Sequence, residues 1–368
     1  MRHDRLGWYL WPIISAVLGN APAVLGGGQL DGSAQFGEAQ LSVRFTTAAS
    51  KVAALSPLAV TLQVANVGAV PLTIPVAKDG APTGWIAHLV GPGSEQMECS
   101  PLQVGVQRHA REMVLEPGQE TNGSGLLLSA GQPGGYVFPQ EGRYTLRVTY
   151  TGSSGSVSLA GELQIDVTEG AADTRALVSL LGPIGIDLFG LDRIRAERDP
   201  DFRVLGSVKL LMHVIACESG EIFDPQTERG SRYHRVHAQL DDLLVRYPET
   251  EYSGFLARYL GLHAMKAYER KHSTSTPLAH ETASSDGALA HLELAANRAT
   301  WPLHASLAAL GDLHVLRRDW ESVARTSGRL RAIGAPGGTE GATRLDTRAS
   351  KYRAKTDTSR REGPADEP

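Results

Sequence analysis

The chain has 368 residues, of which 42% are hydrophobic and 21% charged, and its formal net charge is −4. That length points to two domains and that composition to a globular protein rather than a fibrous or wholly disordered one. The mildly acidic balance provides no overall basic field, so no nucleic-acid partner is expected.

Residues 1–23 read as a secretory signal. Arg2 and Arg5 precede the apolar run LGWYLWPIISAVLG, and Ala21 and Ala23 form an A-x-A cleavage pattern. The run contains Pro12 and is too short to span a bilayer comfortably. The expectation is an exported protein, periplasmic or extracellular, with no stable transmembrane span after cleavage. An uncut N-terminal anchor is the alternative. Residues 24–36, VLGGGQLDGSAQF, are Gly-rich and predict a flexible lead-in.

From 37 to 168 the apolar residues alternate. Leu41, Val43 and Phe45 share one strand face, Leu58, Val60, Leu62 and Val64 another, and a turn is expected at Asn66 to Gly68. In RYTLRVTYT, Tyr144, Leu146, Val148 and Tyr150 point one way while Arg143, Thr145, Arg147 and Thr149 point the other. About seven such strands, bounded by Gly, Pro or Ser, predict an antiparallel β-sandwich. EGRYTLRV resembles the penultimate strand of immunoglobulin-like sandwiches, where a Tyr after a tight turn bonds back to the backbone. LQVANVGAVPLTI is similar to the strand-turn-strand with a central Asn in bacterial immunoglobulin-like modules. The resemblance implies a fold and no particular activity.

Residues 169–203 have helical spacing interrupted by Gly182, Pro183, Gly185 and Gly190, which predicts broken connecting helices. Residues 204–333 carry helical periodicity, with a polar insertion at 273–287 expected to form a loop. Leu310 and Gly311 are followed by Asp319 and Trp320, and Leu260 and Gly261 follow RYPETEY. These residues resemble tetratricopeptide repeats, which pair a Leu-Gly in one helix with a turn before the next. Arg318 replaces the usual turn Gly and the insertion breaks the period, so a generic helical bundle is the alternative. The resemblance implies stacked hairpins around a groove, here between the Leu260-Gly261 and Leu310-Gly311 helices. Residues 334–368 are nearly devoid of apolar side chains and predict a disordered tail.

The chemistry-bearing residues are few. His213 and Cys217 stand one helical turn apart, and His234 and His237 form an i, i+3 pair, with Glu218 and Glu221 nearby. His213, Cys217, His234 and His237 make the best candidate metal set. The blander reading is that LLMHVIAC is a buried helix, its Cys a small hydrophobe. His234 and His237, beside Arg232 and Arg235, then sit on a solvated face. No Gly-x-Ser-x-Gly, His-Glu-x-x-His, phosphate-loop or dinucleotide motif occurs, so no catalytic residue and no cofactor is expected. Cys99 and Cys217 fall in different predicted domains, as a bridge or as two separate thiols.

The leading expectation is an exported, non-enzymatic scaffold that binds a protein partner, with Tyr259, His263, His314, Arg317 and Trp320 as candidate groove residues. One alternative is a metal-dependent or hydrolytic enzyme with its site at the domain junction. Another is a carbohydrate- or protease-binding sandwich on a helical spacer.

Overall fold

The computed structural model describes residues 27–361 apart from 37–38, 78–80, 103–110, 131–134, 153–154, 218–226, 274–284, 299–302 and 334–335. The signal segment, most of the polar insertion, and Glu218 and Glu221 therefore lie outside the described residues.

Strands come first: β1 (Gln29–Phe36), β2 (Ala39–Thr47), β3 (Lys51–Ala53), β4 (Leu58–Asn66), β5 (Leu72–Val76), β6 (Trp85–Val90), β7 (Gln96–Cys99), β8 (Arg111–Leu115), β9 (Glu120–Leu127), β10 (Gly142–Gly152), β11 (Gly155–Ser158) and β12 (Leu163–Thr168). Helices follow: α1 (Ala172–Phe189), α2 (Arg193–Arg198), α3 (Pro200–Ala216), α4 (Glu228–Arg246), α5 (Ser253–Ser273), α6 (Ser285–Arg298), α7 (Leu303–Arg317), α8 (Trp320–Ile333) and α9 (Pro336–Arg361). One sheet has the order β1-β2-β4-β9 and is antiparallel. The other runs β3-β12-β10-β6-β7, with β11 also on β10 and β3 parallel to β12. β5 and β8 form a small third sheet.

Alternation sets the faces. The inward residues expected on β2, β4 and β10 are all buried. Each buried Val, Leu or Phe contributes about 1.5–3 kcal/mol, and a one-residue slip would turn the whole set outward. Buried Asn66 holds the expected turn: its Nδ2 donates to Val70 O and Leu115 O at 2.8 Å, and its Oδ1 accepts from Gly68 N at 3.0 Å. Tyr144 OH donates to Gln140 O at 3.1 Å, tying the start of β10 to the turn before it.

Three segments depart from expectation. The lead-in contains β1, which pairs with β2 from end to end. Its inner face is Leu30, Gly32 and Ala34, whose small members hide the alternation; a Cβ on Gly32 would lie 3.1 Å from Leu159 Cα. The connecting segment is broken at Gly190, after which α2 and α3 follow, but α1 runs unbroken through Gly182, Pro183 and Gly185. Gly182 and Gly185 are contact points instead of breaks: added Cβ atoms would lie 2.8 Å from Arg203 O and 2.0 Å from Gly206 O. Gly190 does end the helix, in the left-handed region at φ 62°. The tail forms α9, with Ala342, Leu345 and Ala349 buried. Spacings of three and four residues put those three side chains on one helical stripe, which is enough to dock the helix despite its polar composition.

The cores show how the halves meet. One core fills the sandwich. A second crosses the junction, packing Leu126, Leu128 and Tyr136 against Leu177, Leu211 and Tyr252. A third joins α5 through α9. Tyr136 OH donates to Ser207 Oγ at 3.0 Å, Ser56 Oγ to Glu251 Oε1 at 3.1 Å, and Tyr252 OH to Leu55 O. Leu55 has φ 67°, a costly conformation for a residue with a side chain, and its own N–H is held by Phe138 O at 2.8 Å. The result is one packed body of β region followed by helical region. Among the described residues no helix is long and apolar enough to cross a membrane.

Candidate functional site

A polar cluster in the helical half is built from three helices. His213 comes from α3, Tyr233 and His237 from α4, and Tyr259 and His263 from α5. On α4 and on α5 the phenol and the imidazole are four residues apart, which places both on one face. Tyr259 OH donates to Tyr233 OH at 2.7 Å. His237 Nε2 is 3.3 Å from Tyr259 OH, His213 Nε2 is 3.4 Å from both hydroxyls, and His263 Nε2 is 3.5 Å from Tyr233 OH. The His237 and His263 rings are 4.5 Å apart between centroids, and Phe189 meets His213 edge-on at 5.9 Å. Burial lowers the His237 pKa to about 3, and His263, His234 and His213 push it the same way. Neutral imidazoles and phenols can satisfy one another here, since each supplies both a donor and an acceptor.

This geometry brings together two members of the candidate metal set, His213 and His237. α3 ends at Ala216, and Cys217 is its C-cap residue, at φ −64° and ψ 119°. His234 is exposed. Among the described residues no group of three His, Cys, Asp or Glu side chains is arranged to hold a metal ion. The histidines are instead drawn toward phenols, which the metal reading left out. Cys99 and Cys217 are not joined in a disulfide. Cys99 is buried in the sandwich, donates to Ala87 O at 3.5 Å, and has its thiol pKa pushed up to about 12 by burial.

The candidate groove residues also divide. Tyr259 and His263 are buried in the cluster just described. His314 is buried, its Nδ1 3.8 Å from Asp319 Oδ2, and desolvation lowers its pKa. Arg317 donates to Ser285 Oγ at 3.1 Å and Asp286 Oδ1 at 2.7 Å. The Arg353 guanidinium stacks on the Trp320 ring at 4.7 Å. Both Leu-Gly pairs sit at close helix contacts. A Cβ on Gly261 would be 2.7 Å from Leu292 of α6, and one on Gly311 would be 2.5 Å from Leu345 of α9. Both glycines serve close helix approach, and the second faces a helix that was not expected to exist.

An open concavity lies at the junction of the two halves. It encloses about 780 Å³ and is lined by Leu55, Met97 and Tyr136 on the β side and Leu180, Arg203 and Val204 on the helical side. Leu180 and Val204 remain 38% and 36% exposed. Sequence reasoning missed this cleft because its walls are distant in the chain. It also missed Tyr233, although Tyr233 stands one turn before His237.

No family model matches the chain, and no curated protein matches it. Solved structures offer partial likenesses. A β-glucosidase from Listeria innocua matches 36% of this chain and 17% of its own at 10% identity, with a TM-score of 0.24. The sporulation control protein Spo0M from Bacillus subtilis matches 39% of this chain and 56% of its own at 10% identity, with a TM-score of 0.23. A polysaccharide lyase matches 88% of this chain and 71% of its own at 9% identity, with a TM-score of 0.16. The chain thus spans under a fifth of the glucosidase and just over half of Spo0M. At these scores none of them carries a functional argument.

Proposed function

We propose that this is an exported, non-enzymatic scaffold that holds a partner polypeptide in the cleft between its sandwich and its helices. The observation that carries the reading is the cleft itself, of about 780 Å³, with Leu180 and Val204 left partly exposed on one wall. Its walls are joined by a continuous hydrophobic core and by the Tyr136–Ser207 bond, so little ordering cost remains to be met on binding. The Asn66 turn and the Tyr144–Gln140 bond support an immunoglobulin-like sandwich. Gly261 and Gly311, at close helix contacts, support a tetratricopeptide-like helical half.

The test is site-specific photo-crosslinking in the full-length protein, expressed in its own cell envelope. A photoreactive residue is placed at position 180 or 204, or at Val245 of α4, which is 74% exposed. The same polypeptide captured from 180 and 204 and not from 245 supports the reading. Capture equally from all three positions, or from none, overturns it.

A further inference from the structure

The cleft is bordered by β7, the terminal strand of its sheet, and Met97 of that strand lines it. We infer that the partner segment is extended and adds itself as a further strand to the open edge of β7. Its apolar side chains turn into the cleft and a basic one lies beside Glu98. Strand addition rests on the cleft being the partner site.

The ladder decides which backbone groups are spare. Gly91 N donates to Glu95 O at 3.0 Å, and the same register sets Leu89 opposite Met97 and Ala87 opposite Cys99. Bonded and non-bonded pairs alternate in an antiparallel ladder, so Glu95, Met97 and Cys99 turn their N–H and C=O toward β6. Gln96 and Glu98 turn theirs away, and among the described residues nothing pairs with that edge. The other side of β6 has the matching phase: Thr151 N donates to Gly84 O at 2.7 Å, which assigns Ile86, His88 and Val90 to the β10 ladder. Other sheet edges are covered or short. Asp31 O of β1 accepts from Ala160 N at 2.9 Å, Leu102 and Leu126 exchange bonds of 2.8 and 2.9 Å along β9, and β3 has only three residues.

The side chains define the occupant. Met97 and Cys99 lie opposite buried Leu89 and Ala87, so they stand on the inner face, where Cys99 is buried and Met97 only half-buried. Residues directly opposite one another share a face, so an added strand sets an apolar side chain beside Met97, toward Leu180 and Val204. Gln96 and Glu98 are exposed on the outer face, and the Glu98 carboxylate has no ion pair among the described residues. A Lys or Arg on the incoming strand complements it. A spare N–H and C=O at every second residue match another extended backbone, with side chains alternating between the faces. A helix does not fit this edge, because its backbone groups are bonded within itself.

The test uses the full-length protein in its own cell envelope, with a photoreactive residue at position 96 or 98. Both positions should capture the polypeptide that is captured from 180 and 204, at attachment points about two residues apart along it. Capture from 180 and 204 but not from 96 and 98, or widely spaced attachment points, overturns strand addition and leaves the cleft reading standing. Capture of a second copy of this chain through 96 and 98 also overturns it. Capture from none of the four positions overturns both. Gln96→Pro supplies a second measurement, because it deletes an N–H that faces away from β6, a change that an edge strand tolerates. Combined with the photoreactive residue at 204, it should lower capture about three- to tenfold, whereas Gln96→Ala keeps the N–H and should leave capture unchanged. Equal capture from the two variants overturns strand addition. Should Gln96→Pro fail to fold, the spacing of the attachment points decides.

Discussion

Two aromatic groups, one in each half, bury their polar atoms in opposite ways. In the sandwich, Tyr150 and Trp85 are direct partners across β10 and β6, yet neither Tyr150 OH nor Trp85 Nε1 has a hydrogen-bond partner among the described residues. Burial raises the Tyr150 pKa with nothing to offset it. In the helical half, Tyr233 and Tyr259 bond to each other and are ringed by three histidines. A strand sends every second side chain into a core lined by other apolar faces, so a hydroxyl carried there finds few partners. Helix faces repeat after four residues, and three helices can aim polar pairs at a common centre.

Substitutions can break or sharpen this contrast. Gly185→Val should have the largest effect, about 4 kcal/mol or more, because its side chain would collide with the Gly206 carbonyl rather than with a movable group. Urea unfolding followed by helical circular dichroism would report it, and an unchanged midpoint would show that α1 and α3 are not in backbone contact. Leu345→Ala should cost about 3 kcal/mol by opening a cavity against Gly311. Limited proteolysis should then cut within α9 first; equal resistance in both proteins would mean that the helix is not docked.

Tyr259→Phe should cost about 1–2 kcal/mol, since it removes the hydroxyl that bonds both Tyr233 OH and His237 Nε2. Tyr150→Phe, the smallest effect, should be neutral or stabilise by up to about 1 kcal/mol, because it removes a hydroxyl that has no partner. Equal losses from the two Tyr→Phe changes, measured by thermal unfolding, would erase the contrast between the halves.

Much of the sandwich was legible in the chain because its period is two and its inward residues are large. β10 could be read side chain by side chain, and so could the Asn66 turn. β1 was hidden by Gly32 and Ala34 on its inner face, and α9 by a stripe of only Ala342, Leu345 and Ala349. The site was less legible. His213 and His237 were identified for a shared role, but their partners Tyr259 and His263 were assigned to a different surface.

By itself, the sequence determined the order of the halves, the faces of the long strands and the helical character of the chain from α1 to α8. These are local consequences of side-chain periodicity, and each can be read within a dozen residues or so. Only the tertiary structure decided that Gly182 and Gly185 are contacts rather than breaks. It alone gathered three histidines around two phenols and opened a cleft between α1, α3 and the sandwich. Those outcomes depend on which helices cross and how closely, and that is set by packing between segments far apart in the chain.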